Sequence, residues 1–144
     1  MPSARRERTL AAAPEEVWRI VADPHHMPRW WPGVERMESV DADHFTQVFI
    51  SSRGRSVRAD FHVVASEPLR RRAWEQEVEG TPFERVLQAA RTEIELEAVP
   101  GGTRVSIALE QKLRGYSRTG GFLMRRSNRE RLDEALDGLE RVTS

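Results

Sequence analysis

Residues 13–32, Ala-Pro-Glu-Glu-Val-Trp-Arg-Ile-Val-Ala-Asp-Pro-His-His-Met-Pro-Arg-Trp-Trp-Pro, read as two short helices set between a first strand and all the strands that follow. Pro14 suits the first turn of a helix, where its missing N–H costs nothing. Glu15 and Glu16 then place negative charge against the positive end of the helix dipole. Asp23 caps a second turn opened by Pro24, and Pro28 and Pro32 with Trp30 and Trp31 close it. Beyond this stretch the apolar period changes from helical to alternating for about 80 residues, which predicts a meander of strands.

The strands are predicted as Arg5–Leu10, Val34–Asp41, His44–Ser52, Ser56–Ser66, Arg70–Glu79, Glu84–Val99 and a last one after the turn Pro100-Gly101-Gly102. In the fourth, Val57, Ala59, Phe61 and Val63 share the inner face and Arg58, Asp60 and His62 the outer. In the fifth, Arg72, Trp74, Gln76 and Val78 share one face. In the sixth, Ile94, Leu96 and Ala98 alternate with Glu93, Glu95 and Glu97, which form a solvated face. Carried backwards, that phase turns Val86, Gln88, Ala90 and Thr92 inward; a β-bulge near Ala89-Ala90 would invert it. The last strand points Val105, Ile107, Leu109, Gln111 and Leu113 inward. Gly120-Gly121 opens a final helix to about Val142, with Leu132, Ala135, Leu136, Leu139 and Val142 in one apolar stripe.

Val17, Trp18, Ile20, Asp23, Trp31, Pro32 and Val34 match the run that follows the first strand in the START-like (SRPBCC) superfamily. The chain resembles in particular its bacterial polyketide cyclase/dehydrase and lipid-transport branch. The phrase Pro-Gly-Gly-Thr-Arg-Val-Ser-Ile at 100–107 is similar to that family's hairpin before the last strand. The resemblance implies an α+β helix-grip fold, a curved seven-stranded antiparallel sheet wrapped around the C-terminal helix. It also implies an elongated, mostly apolar cavity for a lipid, sterol, polyketide or isoprenoid.

Composition bounds the alternatives. A chain of 144 residues with 38% apolar and 32% charged residues makes one domain with one core. No apolar run reaches the roughly 20 residues of a membrane span, and the N-terminal residues lack the apolar segment of a secretory signal, so a cytoplasmic location without membrane insertion is expected. The absence of cysteine excludes disulfides, thiolate catalysis and Cys-held metals. With 23 basic residues against 23 acidic ones, no net field draws the chain to nucleic acid. Lys112 is the only lysine among those 23, so a single arginine loses some of its value as a recognition mark.

A sheet curled around one helix leaves a gap, and the expected wall of that gap is Phe61, Trp74, Val86, Gln88, Ile94, Leu96, Ile107 and Leu109, roofed by Leu132 and Leu136. Ala90 belongs to the same inward row. Gln76, Gln88, Thr92 and Gln111 are polar members of inward rows, and a buried amide needs a partner in water, protein or ligand oxygens. Arg72 is a candidate anchor for an anionic or carbonyl group, and Tyr116, before the last helix, a candidate gate or proton donor. His25 and His26 with Asp23 do not converge on one ion, so no metal or cofactor is expected. Arg114, Arg118, Arg125, Arg126, Arg129 and Arg131 crowd the start of the last helix, where cations oppose the dipole, and suit an acyl-carrier protein or another anionic surface. Binding of a hydrophobic small molecule is the leading expectation. The alternative is an aromatase/cyclase promoting aldol closure and dehydration with Arg72, Gln88, Tyr116 and His62. A third reading is an interaction module working through the arginines.

Overall fold

The computed structural model describes residues 3–51, 53–115 and 118–144, with side chains omitted over 118–122. The chain runs β1 (Ser3–Leu10), α1 (Pro14–Val21), a 3-10 turn (Pro24–His26), α2 (Met27–Trp30), β2 (Val34–Glu38), β3 (His44–Ile50), β4 (Ser56–Glu67), β5 (Arg71–Gln76), a second 3-10 turn (Pro82–Arg85), β6 (Leu87–Val99), β7 (Gly102–Leu113) and α3 (Arg118–Thr143). The strands form one antiparallel sheet in the order β1-β7-β6-β5-β4-β3-β2, so the first strand closes against the last. This is the expected α+β helix-grip architecture, with α3 packed against β1, β7, α1 and α2. Among the described residues no helix is long and apolar enough to cross a membrane.

The stretch that announces the fold behaves as its chemistry dictates. Pro14 occupies the first turn of α1, Arg19 donates to Glu16 at 2.8 Å, and the Asp23 carboxylate accepts from the backbone N–H of His25 at 3.0 Å. Burial acts to raise the Asp23 pKa, but hydrogen bonds from the His25 backbone and ring, with the charges of His25 and His26, together hold it below the usual carboxylate value. The two histidines therefore serve a helix cap.

One close approach fixes the position of α3. A side chain at Gly138 would put its first carbon 2.4 Å from the Trp30 carbonyl oxygen and 2.7 Å from the Trp30 Cα, so the backbones of α2 and α3 touch there. An alanine in an open helix gains about 1 kcal/mol over glycine, but overpacking against backbone costs roughly 1–3 kcal/mol or more. Gly138→Ala should accordingly be destabilised by about 1–2 kcal/mol in chemical denaturation. A more stable variant would show that the two helices stand further apart.

The convex face of the sheet is a lattice of ion pairs. Arg71 bonds Glu93 and Glu67, Arg91 bonds Glu75 at 3.2 Å, Arg104 bonds Glu97 at 3.0 Å, and Arg5 approaches Glu95 at 3.6 Å. Exposed pairs of this kind contribute about 0–1 kcal/mol each, so their role is to keep the outer face solvated and single-valued.

The sixth strand departs from the expectation. Pro82, which cannot donate to a ladder, starts a 3-10 turn, and pairing begins only at Leu87. A register shift between Leu87 and Ala89 then inverts the phase: Leu87 and Ala90 point inward, while Val86 is 59% exposed and Gln88 faces solvent. Val86 and Gln88 are thus removed from the inner wall by the very bulge that would flip it. Ala98, at the strand's end, is also exposed. Strand β5 stops at Gln76, so Val78 is buried outside the sheet, in a satellite cluster with Leu87 and Ala90.

Candidate functional site

Between the concave face and α3, which reaches it at Arg131, lies a cavity of about 400 Å³, within the range of roughly 300–1,000 Å³ usual for small-molecule sites. Its floor is aromatic, with Trp31, Phe61 and Trp74 on the lining and Phe45 buried beneath them. Trp74 meets Trp31 and Phe45 edge to face at 6.1 and 5.7 Å, and Phe45 stacks on Phe61 at 5.3 Å. Trp31 is placed by the extended backbone that ends α2, and Gly33 follows with φ +81°, a conformation that favours glycine. The wall continues through Phe49, Ile50, Val57 and Ala59 of the β3–β4 hairpin, Phe83 and Leu87 beside the second 3-10 turn, and Ala90, Thr92, Leu109 and Gln111 of β6 and β7. Arg131 of α3 stands at the rim.

Of the residues expected from sequence, Phe61, Trp74, Gln76, Ala90, Thr92, Leu109 and Gln111 line this space. Ile94, Ile107, Leu132 and Leu136 are 0–1% exposed and belong to the solid core beneath it. Gln88 lies in a neighbouring outer depression with Glu79 and Lys112, which shares Gln76 and Ala90 with the cavity. Arg72 is buried but does not line the cavity. Its Nη1 donates to Ser66 Oγ at 2.9 Å and its Nε has no partner. Burial lowers the Arg72 pKa from its ordinary value, opposed by the negative charges of Asp23 and Asp43. His62 stands on the outer face between Glu75 and Glu77, at 3.7 Å from each. Tyr116 lies outside the described residues, as does the Arg118 side chain. Trp31, Gln47, Phe49 and Arg131 were not expected. The signal for Gln47 was available, because Phe45, Gln47 and Phe49 alternate in β3 as strictly as any row that was read.

The polar lining consists of Gln47, Gln76, Thr92, Gln111 and the Arg131 guanidinium. Gln47 Nε2 donates to Met27 Sδ at 3.3 Å, and Gln111 Oε1 accepts from Asn128 Nδ2 at 2.8 Å, which ties β7 to α3 across the roof. Gln76 Nε2 is fully buried without a partner. An amide donor left so costs on the order of 1–3 kcal/mol, which an acceptor oxygen supplied from the cavity would recover. Among the described residues no His, Asp, Glu, Lys or Tyr lines the space, and none of them forms a group of three potential metal ligands. Amides, a hydroxyl and a guanidinium orient a ligand, but none of them exchanges a proton near neutral pH.

Over residues 1–143 the chain matches the family described as polyketide cyclase / dehydrase and lipid transport. An uncharacterised protein of Mycobacterium tuberculosis is 29% identical over 137 residues, covering 93% of this chain and 80% of that one. A START superfamily protein from Mycobacterium smegmatis superposes with a TM-score of 0.78 at 14% identity, covering 98% of this chain and 96% of that one. The di-domain ARO/CYC StfQ from the steffimycin biosynthetic pathway gives 0.80 at 12% identity, over 99% of this chain and 50% of that protein.

Proposed function

Since the chain belongs to the polyketide cyclase/dehydrase and lipid-transport family, we propose that it binds one hydrophobic small molecule bearing a few oxygen atoms, in the cavity between the sheet and α3. The observation that carries this reading is the lining itself: an aromatic floor, an unpartnered amide donor at Gln76, and only arginine as an ionisable group among the described residues. Apolar area supplies the affinity and the amides set the orientation. Native mass spectrometry of freshly purified protein should show a co-purifying hydrophobe at one per chain, and an environment-sensitive dye should compete with it.

Gln76→Leu sharpens the test. Leucine matches the size of the amide without its donor, so folding is retained and an oxygen-bearing ligand binds about 1–2 kcal/mol more weakly, while a pure hydrocarbon binds at least as well. Equal weakening of both would remove Gln76 from the site.

The aromatase/cyclase reading draws on the likeness to one half of StfQ. It needs a proton donor and acceptor facing the ligand. With Gln88 and His62 on the outer face and Arg72 turned to Ser66 outside the cavity, Tyr116 is the remaining named candidate. Tyr116→Phe that left ligand affinity intact while abolishing turnover of a poly-β-keto substrate would favour it.

A further inference from the structure

The charges of this neutral chain are unevenly partnered. On the convex face and the β1 edge, arginines sit against carboxylates, as in Arg6 with Asp133, Arg8 with Asp137 and Arg58 with Glu38. Around the cavity mouth the pairing thins, as it also does for Arg141 at the C-terminal end of α3 and for Arg29 of α2 beside it. Among the described residues, Arg53 and Arg55 in the β3–β4 turn, Arg85 at the end of the second 3-10 turn, and Arg125, Arg129 and Arg131 on α3 have no carboxylate partner. The distribution along α3 is informative. Arg126, on the outer face, pairs with Glu130 at 3.5 Å. Counting back from Leu139, Leu136 and Leu132 at helical spacing reaches Arg129 and then Arg125, so these cations continue the stripe that faces the sheet.

The same elements expose aliphatic side chains. Ile50, 48% exposed, lies just before Arg53 and Arg55; Val86, 59% exposed, follows Arg85; Leu123, 56% exposed, precedes Arg125. Ile50 lines the cavity, Val86 lies between the lining residues Phe83 and Leu87 in sequence, and Leu123 is about a turn and a half beyond Asn128, which bonds the lining residue Gln111. Three separate elements around one opening thus each carry an exposed aliphatic group beside an unpaired arginine.

We propose that this rim docks on an anionic lipid bilayer, resting on the three basic and aliphatic feet, so that the hydrophobic ligand passes between membrane and cavity without crossing water. The proposal rests on the cavity being the ligand site. A bilayer matches the feet better than an acidic protein does. The aliphatic groups are isolated and carried by three elements, as suits a fluid surface, and among the described residues the most exposed large apolar side chains there are the aliphatic Ile50, Val86 and Leu123 rather than the aromatic anchors that dominate protein interfaces. Cations near an anionic leaflet attract over about a Debye length, and short aliphatic side chains enter the interface without spanning it.

Flotation with vesicles of phosphatidylcholine alone, or of phosphatidylcholine and phosphatidylglycerol at about three to one, tests this directly. The chain should float with the anionic vesicles at low salt and be released as ionic strength rises. Arg53→Gln/Arg55→Gln/Arg85→Gln, none of which lines the cavity, should lower partitioning at least about tenfold with dye uptake unchanged. Val86→Ser/Leu123→Ser should also lower partitioning at low salt and bring release at a lower ionic strength, because the apolar contribution is lost. Absence of flotation, equal flotation of wild type and the triple variant, or capture by an acidic carrier protein with no binding to anionic vesicles would overturn the proposal. Dye uptake separates the two readings: uptake without flotation sinks the docking alone. Flotation without uptake supports the surface and sinks the cavity.

Discussion

The Leu136→Asp chain is expected to show no cooperative melting transition at neutral pH. Leu136 is 1% exposed in the middle of α3, within the cluster that joins the helix to Leu10, Val105 and Ile107. Truncating such a leucine costs about 2–5 kcal/mol in lost transfer and cavity energy. An unpaired carboxylate in the same place adds roughly 3–5 kcal/mol. The sum approaches or exceeds the whole stability of an ordinary domain, about 5–15 kcal/mol. Leu136→Asn, of the same shape but without charge, separates the two contributions and should retain a lowered but visible transition by circular dichroism. A Leu136→Asp protein that melted like the parent would mean that α3 does not sit in the grip of the sheet.

The elements that were legible in the sequence are those whose periodicity has no competitor. The Pro14 to Pro32 stretch, the alternation of Glu93, Glu95 and Glu97 with Ile94 and Leu96, and the stripe Leu132 to Leu139 each reappear in the structure with the expected face inward. Strand ends were less legible, because they depend on neighbours. Strand β2 stops at Glu38, where Ser39 adopts a positive φ, and β5 stops at Gln76, where the chain leaves the sheet for the second 3-10 turn. The candidate site was read through one strand phase, and a one-residue bulge is invisible to an argument from alternation. That bulge is what exposes Gln88 and turns Leu87 inward. Arg72 shows a different limit. Its inward face was read correctly, but its distance along the strand was not weighed, so its guanidinium reaches Ser66 rather than the cavity. Of the rim arginines, Arg125, Arg129 and Arg131 were legible as part of a cluster on the last helix, whereas Arg53, Arg55 and Arg85 join them only in the folded chain. What sets them apart is that each element at the rim joins an arginine without a carboxylate partner to an exposed aliphatic side chain, and both pairing and exposure are properties of the fold rather than of the sequence.

Ala90→Trp should abolish ligand uptake, and Gln88→Trp should leave it unchanged. Ala90 is 8% exposed, pairs with Gln111 across the ladder, and borders the cavity beside Gln76 and Thr92. An indole built there projects into the existing space of about 400 Å³, so it displaces the ligand at a stability cost of about 1–3 kcal/mol or less. Dye binding should fall by at least about tenfold, a loss of roughly 1.4 kcal/mol or more. Gln88 is two residues away in the same strand. An unbroken alternation would put the two side chains on one face and make both variants block. The register shift between Leu87 and Ala89 sends Gln88 to the outer depression instead, where a tryptophan meets solvent and the aliphatic stem of Lys112. Blocking by both variants would show that the strand runs without its bulge in solution. If neither blocks, the ligand lies elsewhere, and the dye would then have to be sought beyond the wall formed by Ala90, Thr92 and Gln76.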